Sequence, residues 1–340
     1  MITATNFDFV NARLHGLRSR LFEGERLADL VGRHTLPEVA QAAIGEPMVA
    51  SADAIERRLV GDHVADLAGL SAHLRGAECL FFRSLLERYR TENLKVIVRW
   101  RAAREPRTSP APLLVPLPDW LEVSYERLIA TPDLAGLVAA LPAPRLVRAA
   151  EAGLDAFEQT GSTFFVEAAL DRATFVHVAA CCRRLARRHR GATGGILGRE
   201  RDLYNVMFVA RAAQAYDLPM EDLEGFLAPR GGHVTRALLA VIHAAADPTA
   251  ILAALPTWLT GRRAAPEDVQ GLPDIERLLW AELARSANRL FYDSVFDLGK
   301  AVAFFYLKRV ELFNVIRVVE GMRYGLSAGA IRERLILTKA

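Results

Sequence analysis

The sequence is poor in the features that usually announce a function. It has three cysteines, Cys79, Cys181 and Cys182. Two are neighbours and no zinc-type spacing exists, so neither a disulfide framework nor a metal site is supported, and reduced thiols of a cytosolic protein are expected. No charge sign dominates: 43 Lys+Arg face 40 Asp+Glu, which argues against a protein whose whole face tracks a polyphosphate backbone. No apolar run reaches the roughly 18–20 residues a membrane helix needs. The most apolar stretches, Leu238–Pro256 and Val295–Leu307, are broken by His243, Asp247 and Pro248, or by Asp297 and Lys300. Met1 to Phe22 carries Asn, Asp, His and Arg instead of the apolar centre of a signal peptide. A soluble chain is expected. Period-two runs and Asn-Gly or Asp-Gly hairpin signals are missing too.

What is present is helical. Hydrophobic residues make up 51% of the chain and charged residues 24%, the balance of a folded protein rather than a disordered one. At 340 residues it exceeds one ordinary domain. Ala is abundant and Arg outnumbers Lys, which raises helix propensity throughout. Val10, Leu14, Leu17 and Leu21 form one stripe, with Arg13, Arg18 and Arg20 on other faces and Asp8 or Asn6 as the expected cap. Leu278, Leu279, Leu283 and Leu290 mark a second helix, and Leu312, Val315, Ile316 and Val319 a third. Five prolines between Pro106 and Pro118 predict a linker or extended crossing. Gly191 to Gly198 reads as a loop ending a basic helix, and Pro229–Gly232 and Gly261–Pro273 as further loops.

Comparing the chain with itself is more informative, because similarity at a fixed period marks a repeated architecture. Asn93-Leu94-Lys95-Val96-Ile97-Val98-Arg99 returns as Asn205-Val206-Met207-Phe208-Val209-Ala210-Arg211 and as Asn314-Val315-Ile316-Arg317-Val318-Val319-Glu320, the asparagines 112 and 109 residues apart. A second echo, Leu137 to Pro142 and Ile251 to Pro256, is offset by 114. The reading is all-α, with helical repeat units over 1–105, 106–218 and 219–340. Asn competes with the helix backbone for hydrogen bonds. Its recurrence in one register predicts that Asn93, Asn205 and Asn314 bond a backbone group on a neighbouring helix, as a packing and register device. No acid, base or nucleophile recurs with them.

Phe9-Val10-Asn11-Ala12-Arg13-Leu14, Glu92 to Arg99, and Glu311-Leu312-Phe313-Asn314-Val315-Ile316-Arg317 followed by Gly321-Met322-Arg323-Tyr324-Gly325-Leu326 resemble one family along the whole chain. It is the central-stalk connector of V-type and A-type rotary ATPases, called the C subunit in prokaryotes and the d subunit in eukaryotes. Two departures are visible: Asp202-Leu203-Tyr204 stands where the first repeat has Thr91-Glu92, and Glu320 replaces the Arg of the other two. The resemblance implies a funnel of helices with pseudo-three-fold symmetry. Its mouth would take the rotor shaft, made of the D and F subunits, and its narrow end would sit on the proteolipid ring at the cytoplasmic face of the membrane. It would transmit torque without a catalytic site, cofactor, nucleotide, nucleic acid or small-molecule substrate. Arg99, Arg211 and Arg317 are then expected to face the funnel interior or a neighbouring sector.

Arg183, Arg184, Arg187 and Arg188 belong to the densest charge run, which reads either as a solvated helix end or as a contact for an acidic protein, lipid or nucleic-acid surface. The glycine-rich stretch after it lacks the Lys-Ser/Thr of a phosphate loop. His177 and His189 bracket the cysteine pair without building a metal face. Glu221 and Asp222 read as helix N-terminal charges. The alternative to the connector is an independent helical scaffold for acidic proteins, which predicts a repeat of about 34–45 residues that is not found.

Overall fold

The computed structural model describes residues 6–45, 51–103, 108–229, 232–261, 265, 267, 269–295 and 297–337. Among them no strand occurs and the chain is all-α. A pattern of short helices followed by a long pair appears three times in chain order. After α1 (Asn6–Arg18) come α2 (Glu25–Val31) and α3 (Leu36–Ile44), then the pair α4 (Ala52–Ser71) and α5 (Gly76–Ala102). Next are α6 (Tyr125–Ile129), α7 (Leu134–Ala139) and α8 (Pro144–Thr160), then the pair α9 (Phe164–Arg183) and α10 (Arg187–Tyr216). Finally α11 (Met220–Leu223), α12 (Arg236–His243), α13 (Pro248–Ala254) and α14 (Thr257–Thr260) precede the pair α15 (Leu272–Asp293) and α16 (Gly299–Arg323), with α17 (Ala328–Arg334) closing the chain.

Local chemistry explains where the short helices begin. Thr35, Asp133 and Asp247 cap α3, α7 and α13, each side chain accepting from the backbone N–H three residues on, at 3.4, 2.7 and 2.8 Å. Such a cap satisfies one of the helix's orphan donors and contributes about 1 kcal/mol. The Asp133 and Asp247 caps open the two helices that carry the 114-residue echo, and Leu137, Val138, Ile251 and Leu252 of that echo are buried. Glu221 and Asp222 lie in the first turn of α11. The side chains of Asn6 and Asp8, the expected caps of α1, lie outside the described residues, as do parts of the three expected loops: 104–107, 230–231, and 262–264 with 266 and 268. Beyond 107 the proline-rich segment forms a single 3₁₀ turn at Ala111–Leu113 and then runs extended.

One expectation fails. Gly191–Gly198 is not a loop but the interior of α10. Each interior glycine costs about 1 kcal/mol of helix propensity, yet Thr193, Ile196, Leu197 and Gly198 are buried. Packing of that face outweighs the local preference.

The described chain falls into two compact units, one from 1–63, 186–223 and 230–340, the other from 64–185 and 224–229. In the first, α2, α3 and the start of α4 pack on the C-terminal half of α16 and on α17 through Leu30, Val39, Ile55, Val315, Val319 and Ile331. In the second, α5, α7, α8 and α9 share a core that includes Ile97, Leu137, Leu146, Val166 and Leu170. There α8 and α9 approach so closely that a Cβ on Gly153 would lie 2.7 Å from the backbone of Val166.

Candidate partner-contact residues

The recurring asparagines sit on the second helix of each long pair: Asn93 on α5, Asn205 on α10 and Asn314 on α16. Asn93 is buried, and its amide brackets the backbone of one residue. Nδ2 donates to the Val115 carbonyl at 2.9 Å and Oδ1 accepts from the Val115 N–H at 2.9 Å. Asn314, also buried, does the same to Ile336, at 2.9 Å and 2.8 Å. In both cases the partner lies 22 residues downstream. The partners are not on neighbouring helices, as the sequence predicts, but in extended segments that return past the long helix. An extended segment has no internal acceptor or donor for its own peptide groups, so a side-chain amide of matching geometry supplies both. Asn205 is half-buried on α10.

Six residues past the asparagine the repeats carry charge. Arg99 lies 3.5 Å from Glu167 of α9, and Arg211 lies 2.6 Å from Glu276 of α15. At the third position stands Glu320, which shares a hydrogen bond with the carboxyl of Glu56 on α4. Burial, the Glu320 carboxylate and Asp53 together push Glu56 up to about 7. Arg323 spans the same place, 2.7 Å from Asp53 and 3.2 Å from Glu320. Arg317, one turn before Glu320, is half-buried, and its Nη1 is enclosed without an acceptor among the described residues. Burial holds its guanidinium below the usual arginine range.

The basic run divides into two helix ends rather than forming one. Arg183 ends α9 and Arg184 follows it, where cations favour the C-terminal dipole, whereas Arg187 and Arg188 open α10, where the dipole opposes them. All four are exposed.

A cluster that sequence reasoning missed lies between α5, α8 and α9. Glu87 pairs with Arg90 at 2.6 Å, with Arg145, and with His177 at 3.4 Å. His177 also meets Cys181 at 3.7 Å. Hydrogen bonds to Cys181 and Glu87 raise His177 to about 9, and His177 in turn lowers the Cys181 thiol. One helical turn separates His177 from Cys181, which is legible in the sequence; the residues that complete the cluster come from helices 32 to 90 residues away, which is not. Among the described residues no group of three His, Cys, Asp or Glu side chains is placed to hold a metal, and no helix is long and apolar enough to cross a membrane.

The sequence matches the family described as ATP synthase (C/AC39) subunit over residues 10–334. It is similar to the C subunit of the A-type ATP synthase of Methanothermobacter thermautotrophicus, at 22% identity over 342 residues, covering 97% of this chain and 87% of that relative. A match that runs from α1 to α17 takes in the long helices of all three repeats and the three recurring asparagines, and the chain therefore belongs to the ATP synthase (C/AC39) subunit family.

Proposed function

We propose that this chain is the non-catalytic central-stalk connector of a V/A-type rotary ATPase, a socket that couples the rotating shaft to the membrane rotor ring. The observation that carries the reading is the family match along nearly the whole chain. The relative's name, as the C subunit of an A-type ATP synthase, points the same way. The fold gives physical support. Torque transfer needs a body that does not yield, and long helices with doubly hydrogen-bonded asparagine clamps resist local opening.

In this reading three similar helical sectors form a funnel. The D and F subunits of the shaft enter its mouth, and the proteolipid ring carries its narrow end at the cytoplasmic face. The chain binds no nucleotide and no transported ion, and contributes to ATP synthesis or ion pumping only by coupling. Arg99, Arg211 and Arg317 are candidate contacts, as is the 183–188 run. A tagged chain recovered from gently solubilised native membranes should bring down the nucleotide-hydrolysing subunits, the shaft pair and the ring proteolipid. Recovery of the chain alone would overturn the assignment. Charge reversal at Arg99, Arg211 and Arg317 that left shaft binding intact would remove those residues as contacts.

A further inference from the structure

Three segments of the first compact unit come together around His189: the start of α1, the first turn of α10, and the turn between α15 and α16. The His189 ring lies 5.1 Å from the ring of Phe7, and its Nδ1 accepts from the Leu298 N–H at 3.2 Å. Arg188 lies 3.2 Å from the other ring nitrogen, and Asn11 of α1 donates to the Val295 carbonyl. Val10 and Leu14 are buried, which leaves Phe9 and Arg13, one helical turn apart, on the outward face of α1. Phe9 is 59% exposed, and the α15 end and its turn add Tyr292 at 62% and Val295 at 50%. A single exposed apolar side chain is ordinary, but three large ones on adjoining segments are not. The charge there has one dominant sign. Arg13, Arg187, Arg188 and Arg190 are exposed, against the exposed carboxylate of Asp293. Asp297 is taken up by the Ser294 hydroxyl and the Gly299 N–H.

We propose that this end of the unit docks on an anionic lipid surface, the arginines of α1 and α10 meeting the phosphate groups while Phe9, Tyr292 and Val295 enter the headgroup layer. Surface binding to lipid takes two weak signals together, cationic charge and a patch of apolar side chains, and both are present here. Aromatic rings and long arginine stems suit the boundary between water and acyl chain. Charge complementarity favours lipid over an acidic protein. The four arginines come from two separate helices, and a fluid leaflet brings a phosphate to each, whereas a folded protein must hold every carboxylate at a fixed place. Nucleic acid would stack on the rings but gain nothing from aliphatic Val295. Among the described residues no helix is long enough to cross a membrane, so the contact is one of surface docking. The inference goes beyond the coupling role, since it assigns one face of this chain to lipid itself and needs neither ring nor shaft.

The test is co-sedimentation of the full chain, free of other subunits, with phosphatidylcholine vesicles and with vesicles in which about a third of the lipid is phosphatidylglycerol. The anionic vesicles should bind at least about ten-fold more tightly, and about 0.5 M salt should remove most of that difference. Each arginine near an anionic leaflet is worth about five-fold, so R187Q with R188Q should lose about twenty-fold. Phe9→Ser with Val295→Ser should lose about ten-fold on the same vesicles. R58Q on the exposed face of α4 should bind as the parent does. Equal binding of the parent chain to the two kinds of vesicle, or none to either, would overturn the proposal without recourse to a variant. So would full binding by both folded double variants. Displacement of the chain from the vesicles by a soluble glutamate-rich peptide at matched charge would overturn lipid in favour of an acidic protein. The vesicles hold no ATPase subunit, so failure here leaves the membrane pull-down to stand or fall by itself.

Discussion

The α5 and α16 registers agree at one position and disagree at the next, and the contrast separates what packing demands from what the surface permits. At Asn93 and Asn314 a buried amide holds the backbone N–H and C=O of the residue 22 positions on, with nearly identical distances. Six residues later α5 carries Arg99 against Glu167, whereas α16 carries Glu320 against Glu56. The clamp is buried at Asn314 and part-buried at Asn93, so losing it strands two backbone groups with little or no access to water. On α5 the arginine of the charge pair is 55% exposed, so that pair contributes little and its position is freer to vary than the clamp. Where it changed, an arginine–carboxylate pair gave way to two neighbouring carboxyls, of which Glu56 is pushed up to about 7. The clamps themselves differ in one respect: Asn93 also donates to the Tyr125 hydroxyl at 3.0 Å, tying α6 to the same point.

The largest expected effect comes from breaking the shared feature. Asn314→Ala should destabilise the chain by about 2–4 kcal/mol, because it leaves one buried N–H and one buried C=O unpaired, and Asn93→Ala by about 1–3 kcal/mol, because the groups it frees are part-buried. Denaturant midpoints measure this, and a loss under about 1 kcal/mol at either site would mean that the clamp is incidental.

The intermediate effect sharpens the difference. A glutamate with an ordinary value of 4.5 that stands at about 7 when folded binds its proton more tightly in the native state. Its contribution is complete below the unfolded value and is lost as pH rises through about 7. Stability measured from about pH 5 to about pH 8 should therefore fall with rising pH in this window. Glu56→Gln should flatten the slope and gain about 0.5–1 kcal/mol at the alkaline end, since its amide donates to Glu320 at every pH. Glu320→Arg should flatten it as well, restoring the arrangement of the other two repeats. An unchanged slope in both variants would show that Glu56 titrates normally.

The smallest effect is at the two ion pairs. The Arg99 and Arg211 side chains are 55% and 49% exposed, so replacement by alanine should change stability by no more than about 0.5 kcal/mol. A larger loss would place them in packing rather than at the surface.

Helical class and the recurrence of the asparagines were legible in the sequence, because both are periodic signals carried by neighbouring residues. The partner of each asparagine was not. Val115 and Ile336 lie in extended returns whose position depends on how the chain turns after the long helix, and no local pattern encodes that. Gly191–Gly198 misled for the opposite reason: its local propensity is poor for a helix, and tertiary burial of Ile196 and Leu197 decided against it. Glu320 was visible as a departure from the repeat, but its meaning required Glu56, 264 residues earlier. The Glu87–His177–Cys181 cluster was hidden likewise, since its charges meet only when α5, α8 and α9 pack.

The coupling role is tested most directly in native membranes depleted of this chain, by measuring ATP hydrolysis and ion-gradient formation together. The account predicts that hydrolysis persists in the head while the gradient is lost, and that adding back the purified chain restores it. A gradient that forms at the normal rate without the chain would contradict the account.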